Sequence, residues 1–139
     1  MYKLLSVLLI AVILITITGI VWLAVVPQKG DSFTEFYILG LDGKADNYPR
    51  TVTAGNSGAV IVGIVNRENK EVQYRLLVKT EDVVINKSEI ISLVNEQKWE
   101  QQVSFTLTKV GDNQKVEFLL YKDAGGDPYL SLNLWIDVK

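Results

Sequence analysis

Three oxygen-bearing side chains, Asp42, Asp46 and Asn47, crowd around Gly43 in "LDGKADN" and could in principle hold a cation. Calcium takes about six to eight oxygens, often from alternating Asp and Asn in one loop. The intervals here do not match a helix–loop–helix calcium loop, and Lys44 puts a cation among the acids. Asp42-Gly43 is an ordinary turn signal, and Pro49 stiffens the backbone just after it. The expectation is a turn between strands and no metal site. "DAGGDP", Asp123 to Pro128, reads the same way: its glycines reach positive φ without steric cost, which suits a hairpin loop with solvated carboxylates.

Other chemistry is sparse. The chain has no His and no Cys, so it lacks the commonest general base, the commonest transition-metal ligand and any thiolate. Glu100 and Glu117 could in principle serve as the paired carboxylates of a glycosidase, but both fall on faces read as outward, and nothing in the pattern marks a cleft. No enzyme activity and no cofactor are expected. Asn86-Lys87-Ser88 is a glycosylation sequon, which makes Asn86 a candidate modification site if the domain lies outside the cell. A net charge of -2 in 139 residues argues against nucleic acid, which wants a basic footprint, and against electrostatic docking on anionic lipid.

The elements that position these residues divide sharply in two. Leu4 to Val26 reads "LLSVLLIAVILITITGIVWLAVV", without a charge. At about 1.5 Å per residue such a helix crosses the ~30 Å hydrocarbon core of a bilayer. Trp22 lies near its far end, where an indole suits the interface, and Pro27 is expected to stop it. Lys3 and the free amino group put the N-terminus in the cytoplasm by the positive-inside rule. A cleaved signal peptide would have a shorter apolar region, about 7–15 residues, and a small-x-small site. The reading is therefore an uncleaved anchor over residues 1–27, with residues 4–26 in the lipid bilayer, and a short linker over 28–32. As a coil, the six residues "PQKGDS" reach roughly 15 Å.

From Phe33 onward the pattern becomes period two. "VQYRLLVK" sets Val72, Tyr74, Leu76 and Val78 against Gln73, Arg75 and Lys79, and "WEQQVSFTLT" sets Trp99, Gln101, Val103, Phe105 and Leu107 against a polar row. "YLSLNLWIDV" sets Leu130, Leu132, Leu134, Ile136 and Val138 against Ser131, Asn133, Trp135 and Asp137. Such alternation marks half-buried antiparallel strands. Strands are expected over 33–39, 50–53, 58–66, 71–80, 83–93 (broken near Asn86), 98–108, 114–122 and 129–138. About seven or eight short strands separated by turn clusters imply an all-β, immunoglobulin-like antiparallel sandwich over residues 33–139. "VIVGIV" is apolar on both faces, as a central strand is.

On the outward side of the last two strands, Leu119, Tyr121, Tyr129 and Trp135 form a candidate partner-binding surface, since clustered aromatics supply contact area at low entropy cost. "FTEFYILGLDGKADNYP", "VGIVNRENKEVQY", "EQKWEQQVSFT", "KVEFLLYKD" and "LWIDV" follow one another from about Phe33 to Val138. In that order they resemble the mostly archaeal DUF1616 family of membrane proteins. The resemblance implies an immunoglobulin-type domain beside membrane-spanning sequence and brings no catalytic residue with it. The function expected is a non-enzymatic, membrane-anchored extracytoplasmic interaction module, an accessory subunit of a membrane or cell-envelope complex with a protein partner at the membrane surface. The alternatives are a surface-layer or filament protomer assembling through strand edges, and a carbohydrate-binding domain.

Overall fold

The computed structural model describes residues 1–25 and 30–139. Pro27 as a helix stop and the first part of the linker lie outside the described residues. The chain forms two compact units, Met1–Gly30 and Asp31–Lys139. The first is a single helix, α1, Tyr2–Val25, apolar on every side. It is long and apolar enough to cross a membrane. Its few hydroxyls bond back along the helix: Ser6 donates to the Tyr2 carbonyl at 3.0 Å, and Thr16 and Thr18 donate to those of Val12 and Leu14 at 2.8 Å.

The second unit is an immunoglobulin-like sandwich. Its strands are β1 Phe33–Leu39, β2 Thr51–Val52, β3 Ser57–Arg67, β4 Val72–Thr80, β5 Val83–Lys87, β6 Ile91–Leu93, β7 Lys98–Thr106, β8 Gly111–Lys122 and β9 Leu130–Val138. One sheet has the order β1-β3-β7. The other runs β2-β9-β8-β4-β5, with β6 also on β4. The segment expected as one broken strand is two, because residues 88–90 leave the ladder just after Asn86. There the Ser88 hydroxyl accepts from the Leu76 amide at 2.9 Å and donates to the Glu89 carbonyl at 2.8 Å. The sheets are not wholly antiparallel as expected: β2 runs parallel to β9, with Thr51 opposite Asp137 and Val52 opposite Val138. The chain has crossed from one sheet to the other after β1, so it meets β9 travelling in the same direction.

Alternation fixes which face is buried. Val60, Val62 and Ile64 of β3, Leu76 and Val78 of β4, and Val116, Phe118 and Leu120 of β8 are all buried between the sheets. Phe105 meets Phe118 edge to face, with centroids 6.3 Å apart and planes at 83°, a favoured aromatic geometry. β3 is central in its sheet, as its doubly apolar pattern implies. On its outer face Tyr37 of β1 lies over Gly63, where an added Cβ would sit 2.0 Å from the ring. The Tyr37 hydroxyl donates to Glu100 of β7 at 2.6 Å. Burial first, and then the Glu100 carboxylate, push that phenol up to about 12.

One inward row departs from expectation. On β7, Val103 and Phe105 are buried, but Trp99 is only half-buried and Gln101 is exposed. Trp99 still packs against both core clusters, yet Phe118, with no exposed surface, is the deeper aromatic. Residues 31–139 expressed alone are expected to give a β-type circular dichroism spectrum. Within that fragment Phe118→Ala is expected to cost about 3–5 kcal/mol in urea unfolding; a cost near zero would mean that β8 buries its other face.

Candidate functional site

The most enclosed charge in the sandwich is Glu68, just after β3, whose side chain is 5% exposed. A carboxylate cannot be buried this far unless it is paired and hydrogen-bonded. Thr34 of β1 donates to its Oε1 at 2.8 Å, and the Tyr129 hydroxyl, just before β9, donates to the same oxygen at 2.8 Å. Lys122, at the end of β8, approaches to 3.6 Å and also lies over the Tyr129 ring, 4.1 Å from its centroid. Tyr74 of β4 joins through a 2.8 Å hydrogen bond to Thr34. Burial pushes the Glu68 carboxyl up, but the two hydroxyls and Lys122 outweigh it and hold it below the ordinary carboxylate range. The hydrogen bond to Glu68 and burial raise the Tyr129 phenol, and burial raises that of Tyr74. The cluster ties both sheets together at one end of the sandwich.

The structure separates the four residues expected to form a partner surface. Tyr129 does not stand on the outer sheet face. It precedes β9, so strand alternation does not govern it, and its hydroxyl turns to Glu68 instead. Leu119 is on the outer face but only 8% exposed, flanked by Leu77 and Ser131 in register. Tyr121 sits beneath the Arg75 guanidinium, 5.3 Å from its centroid, and Arg75 also donates to the Gly125 carbonyl at 3.0 Å. Trp135 is 59% exposed with Lys115 beside it at 6.0 Å. Trp135 is opposite Lys115, six positions along β8 from Tyr121, so the two aromatics stand roughly 20 Å apart at ~3.4 Å per residue. They are two separate features of one face.

Asn86 lies in β5, and its amide nitrogen donates across to the Ser104 carbonyl of β7 at 2.6 Å. The sequon is thus part of the seam between the sheets. The Asp42 turn uses its own carboxylate: Oδ1 accepts from the Lys44 amide at 3.0 Å and Oδ2 from the Asn47 side chain at 3.2 Å, with Gly43 at φ 81°. In the other acidic loop Asp123 accepts from the Gln73 amide at 3.2 Å. Among the described residues no three His, Cys, Asp or Glu side chains converge as metal ligands would. Glu100 is on the outer face of one sheet, bonded to Tyr37, and Glu117 on the outer face of the other, paired with Lys115 at 2.8 Å. They cannot flank one bond.

Reading the sequence missed Glu68, which sits in a polar turn cluster. One signal pointed to it: Tyr74 falls in an inward row, and a buried phenol needs a hydrogen-bond partner.

The model of a family described as "Domain of unknown function (DUF1616)" matches residues 27–137. No curated protein matches the sequence. Among solved structures, the fold is similar to the CARDB domain of the PF1109 protein from Pyrococcus furiosus. Its crystal structure, in complex with di-metal ions, aligns with TM-score 0.55 at 11% identity, covering 78% of this chain and 96% of that one. The solution structure of the same domain aligns with TM-score 0.53 at 13% identity, covering 78% and 97%.

Because the folded Glu68 carboxyl titrates below its unfolded value, its contribution to stability is complete above the ordinary carboxylate range. It is lost as pH falls through the folded value. Glu68→Gln is expected to destabilise the 31–139 fragment by roughly 1–3 kcal/mol at neutral pH, through weakened charge-assisted hydrogen bonds. The difference from the wild-type fragment should close in acid. Urea midpoints across a pH series check this; a constant difference would show that Glu68 is not ionised in the fold.

Proposed function

This chain belongs to the DUF1616 family, and on that premise we propose that it is a non-enzymatic, membrane-anchored interaction module of the cell envelope. The observation that carries this reading is the pairing of a uniformly apolar 24-residue helix with an immunoglobulin-like sandwich. A helix apolar on all sides has no polar face for water and is suited to lipid. Lys3, in the first turn of the helix, favours a cytoplasmic N-terminus and a sandwich outside. The partner is a protein at the membrane surface. It meets the outer face of the β2-β9-β8-β4-β5 sheet at Trp135, an exposed indole of the kind that anchors interfaces. Arg75 and Lys79 share that face, opposite Tyr121 and Glu117, and favour a partner with acidic groups.

A second reading is favoured by one feature of β9. β2 covers only its last two residues, so the edge from Leu130 to Ile136 has no neighbouring strand among the described residues. A strand of another molecule could add there, as in a filament or surface-layer protomer. Chain purified alone that polymerises, and stops when Asn133→Pro blocks the edge, would favour this reading.

Two measurements test the main one. Protease added to intact cells is expected to digest the sandwich and leave a membrane-embedded N-terminal fragment; full protection would reverse the orientation. In mild detergent, Trp135→Ala is expected to leave the fold intact and reduce co-purification of the partner about tenfold or more, as loss of an interface anchor does. Unchanged capture would remove this face from the proposal.

A further inference from the structure

On the seam where β7 faces the β4–β5 pair, the sandwich opens into a cleft of about 160 Å³. Leu76 and Val78 line its depth, and Trp99, Gln101, Asn86 and Ser88 surround them. One of these breaks the rule that shapes the rest of the fold. Gln101 occupies an inward position of β7, between Trp99 and Val103, where alternation demands an apolar side chain. It is exposed and makes no side-chain hydrogen bond among the described residues. Trp99 packs partly on the core and turns the remainder to the cleft, its indole N–H likewise without a partner. Natural sequences usually break a local rule at functional positions.

From this arrangement we infer that the cleft binds the pyranose ring of a neutral glycan. A sugar ring presents an apolar C–H face and a rim of hydroxyls that both donate and accept. The indole fits the former, and the Gln101 amide can both donate to and accept from the latter. Asn86, whose amide nitrogen is held by Ser104 and whose Oδ1 accepts from the Lys87 amide, fixes the rim of the cleft in place. No carboxylate lines the cleft, and the one charged residue at its wall is Lys87, so it lacks the donor set of a cation site. Its size sets the limit on the ligand: at ~30 Å³ per water, the space corresponds to about five waters. It therefore takes one ring, and the rest of a glycan runs out over the exposed edge of β7. The site lies on the seam between the sheets, away from the outer face that carries Trp135, and stands whether or not a protein partner docks on that face.

The test uses the full chain in lipid nanodiscs, free of sugar-headed detergent. Trp22→Phe and Trp135→Phe leave Trp99 as the single indole. The probes are the methyl glycosides of glucose, galactose, mannose and N-acetylglucosamine, titrated through the millimolar range. At least one is expected to change Trp99 emission saturably. Gln101→Ala is expected to weaken that binding about tenfold, as the loss of a ligand hydrogen bond does, without lowering the thermal midpoint. Gln101→Leu restores the apolar row, so it is expected to match or exceed the parent's stability while losing the sugar. No saturable change with any of the four glycosides overturns the inference. So does binding by both Gln101 variants with the parent's affinity.

Discussion

The meeting of two apolar rows, Val60–Val62–Ile64 on β3 and Val116–Phe118–Leu120 on β8, sets the terms for the rest of the sandwich. Each large side chain removed from water there contributes about 1.5–3 kcal/mol. A one-residue slip in either strand would send the whole row outward. Register in the central strands is therefore tightly held, and the edges inherit it. β1 and β7 take their positions from β3, and β9 and β4 take theirs from β8. The seams, where edge strands of opposite sheets face each other, are the places where this constraint relaxes. Gln101 and half-buried Trp99 occur at one of them, and the unpaired edge of β9 at the other.

Burial also explains where the charge is tolerated. Glu68 is enclosed because hydroxyls from β1 and the start of β9 reach it and Lys122 balances it. Removing one partner from such a site costs more than the intact cluster contributes, since an unpaired buried charge remains. The other ion pairs are more exposed; Arg67–Glu35 at 3.2 Å and Lys109–Glu81 at 3.3 Å are surface pairs, of a kind that adds little. The Glu68 cluster is thus the polar counterpart of the aromatic contact between Phe105 and Phe118. One fixes the sheets through a buried charge, the other through a buried ring pair.

Fold and function part company at this point. The likeness to the CARDB domain of PF1109, at 11% identity, establishes an architecture, and that protein's di-metal ions have no matching cluster of ligands among the described residues here. Sandwiches of this kind host many unrelated roles, so a role has to come from particular side chains. In this chain the side chains on which a role is proposed are Trp135 on an outer face and the group around Gln101 on a seam, not the acidic turns that first draw attention. Asp42 is occupied by its own turn, with both carboxylate oxygens accepting from Lys44 and Asn47.

The sequence alone determined the apolar helix, most of the strands and the buried rows of the long strands β4, β8 and β9, because hydrophobic period is a local property and the core simply sorts it. It also determined the family, through stretches spread from Phe33 to Val138. Tertiary structure alone decided what sits beside what across the sheets. Tyr129 was read as outward because its neighbours alternate, yet one step outside the ladder its ring is free to follow a buried carboxylate 61 residues away in the chain. Leu119 was read as exposed, and cross-strand neighbours flank it on both sides. Gln101 was read as inward, and so it is, but only the spacing of β7 from β4 and β5 leaves that position open to solvent. Alternation gives the direction of a side chain; what it meets depends on strands distant in sequence.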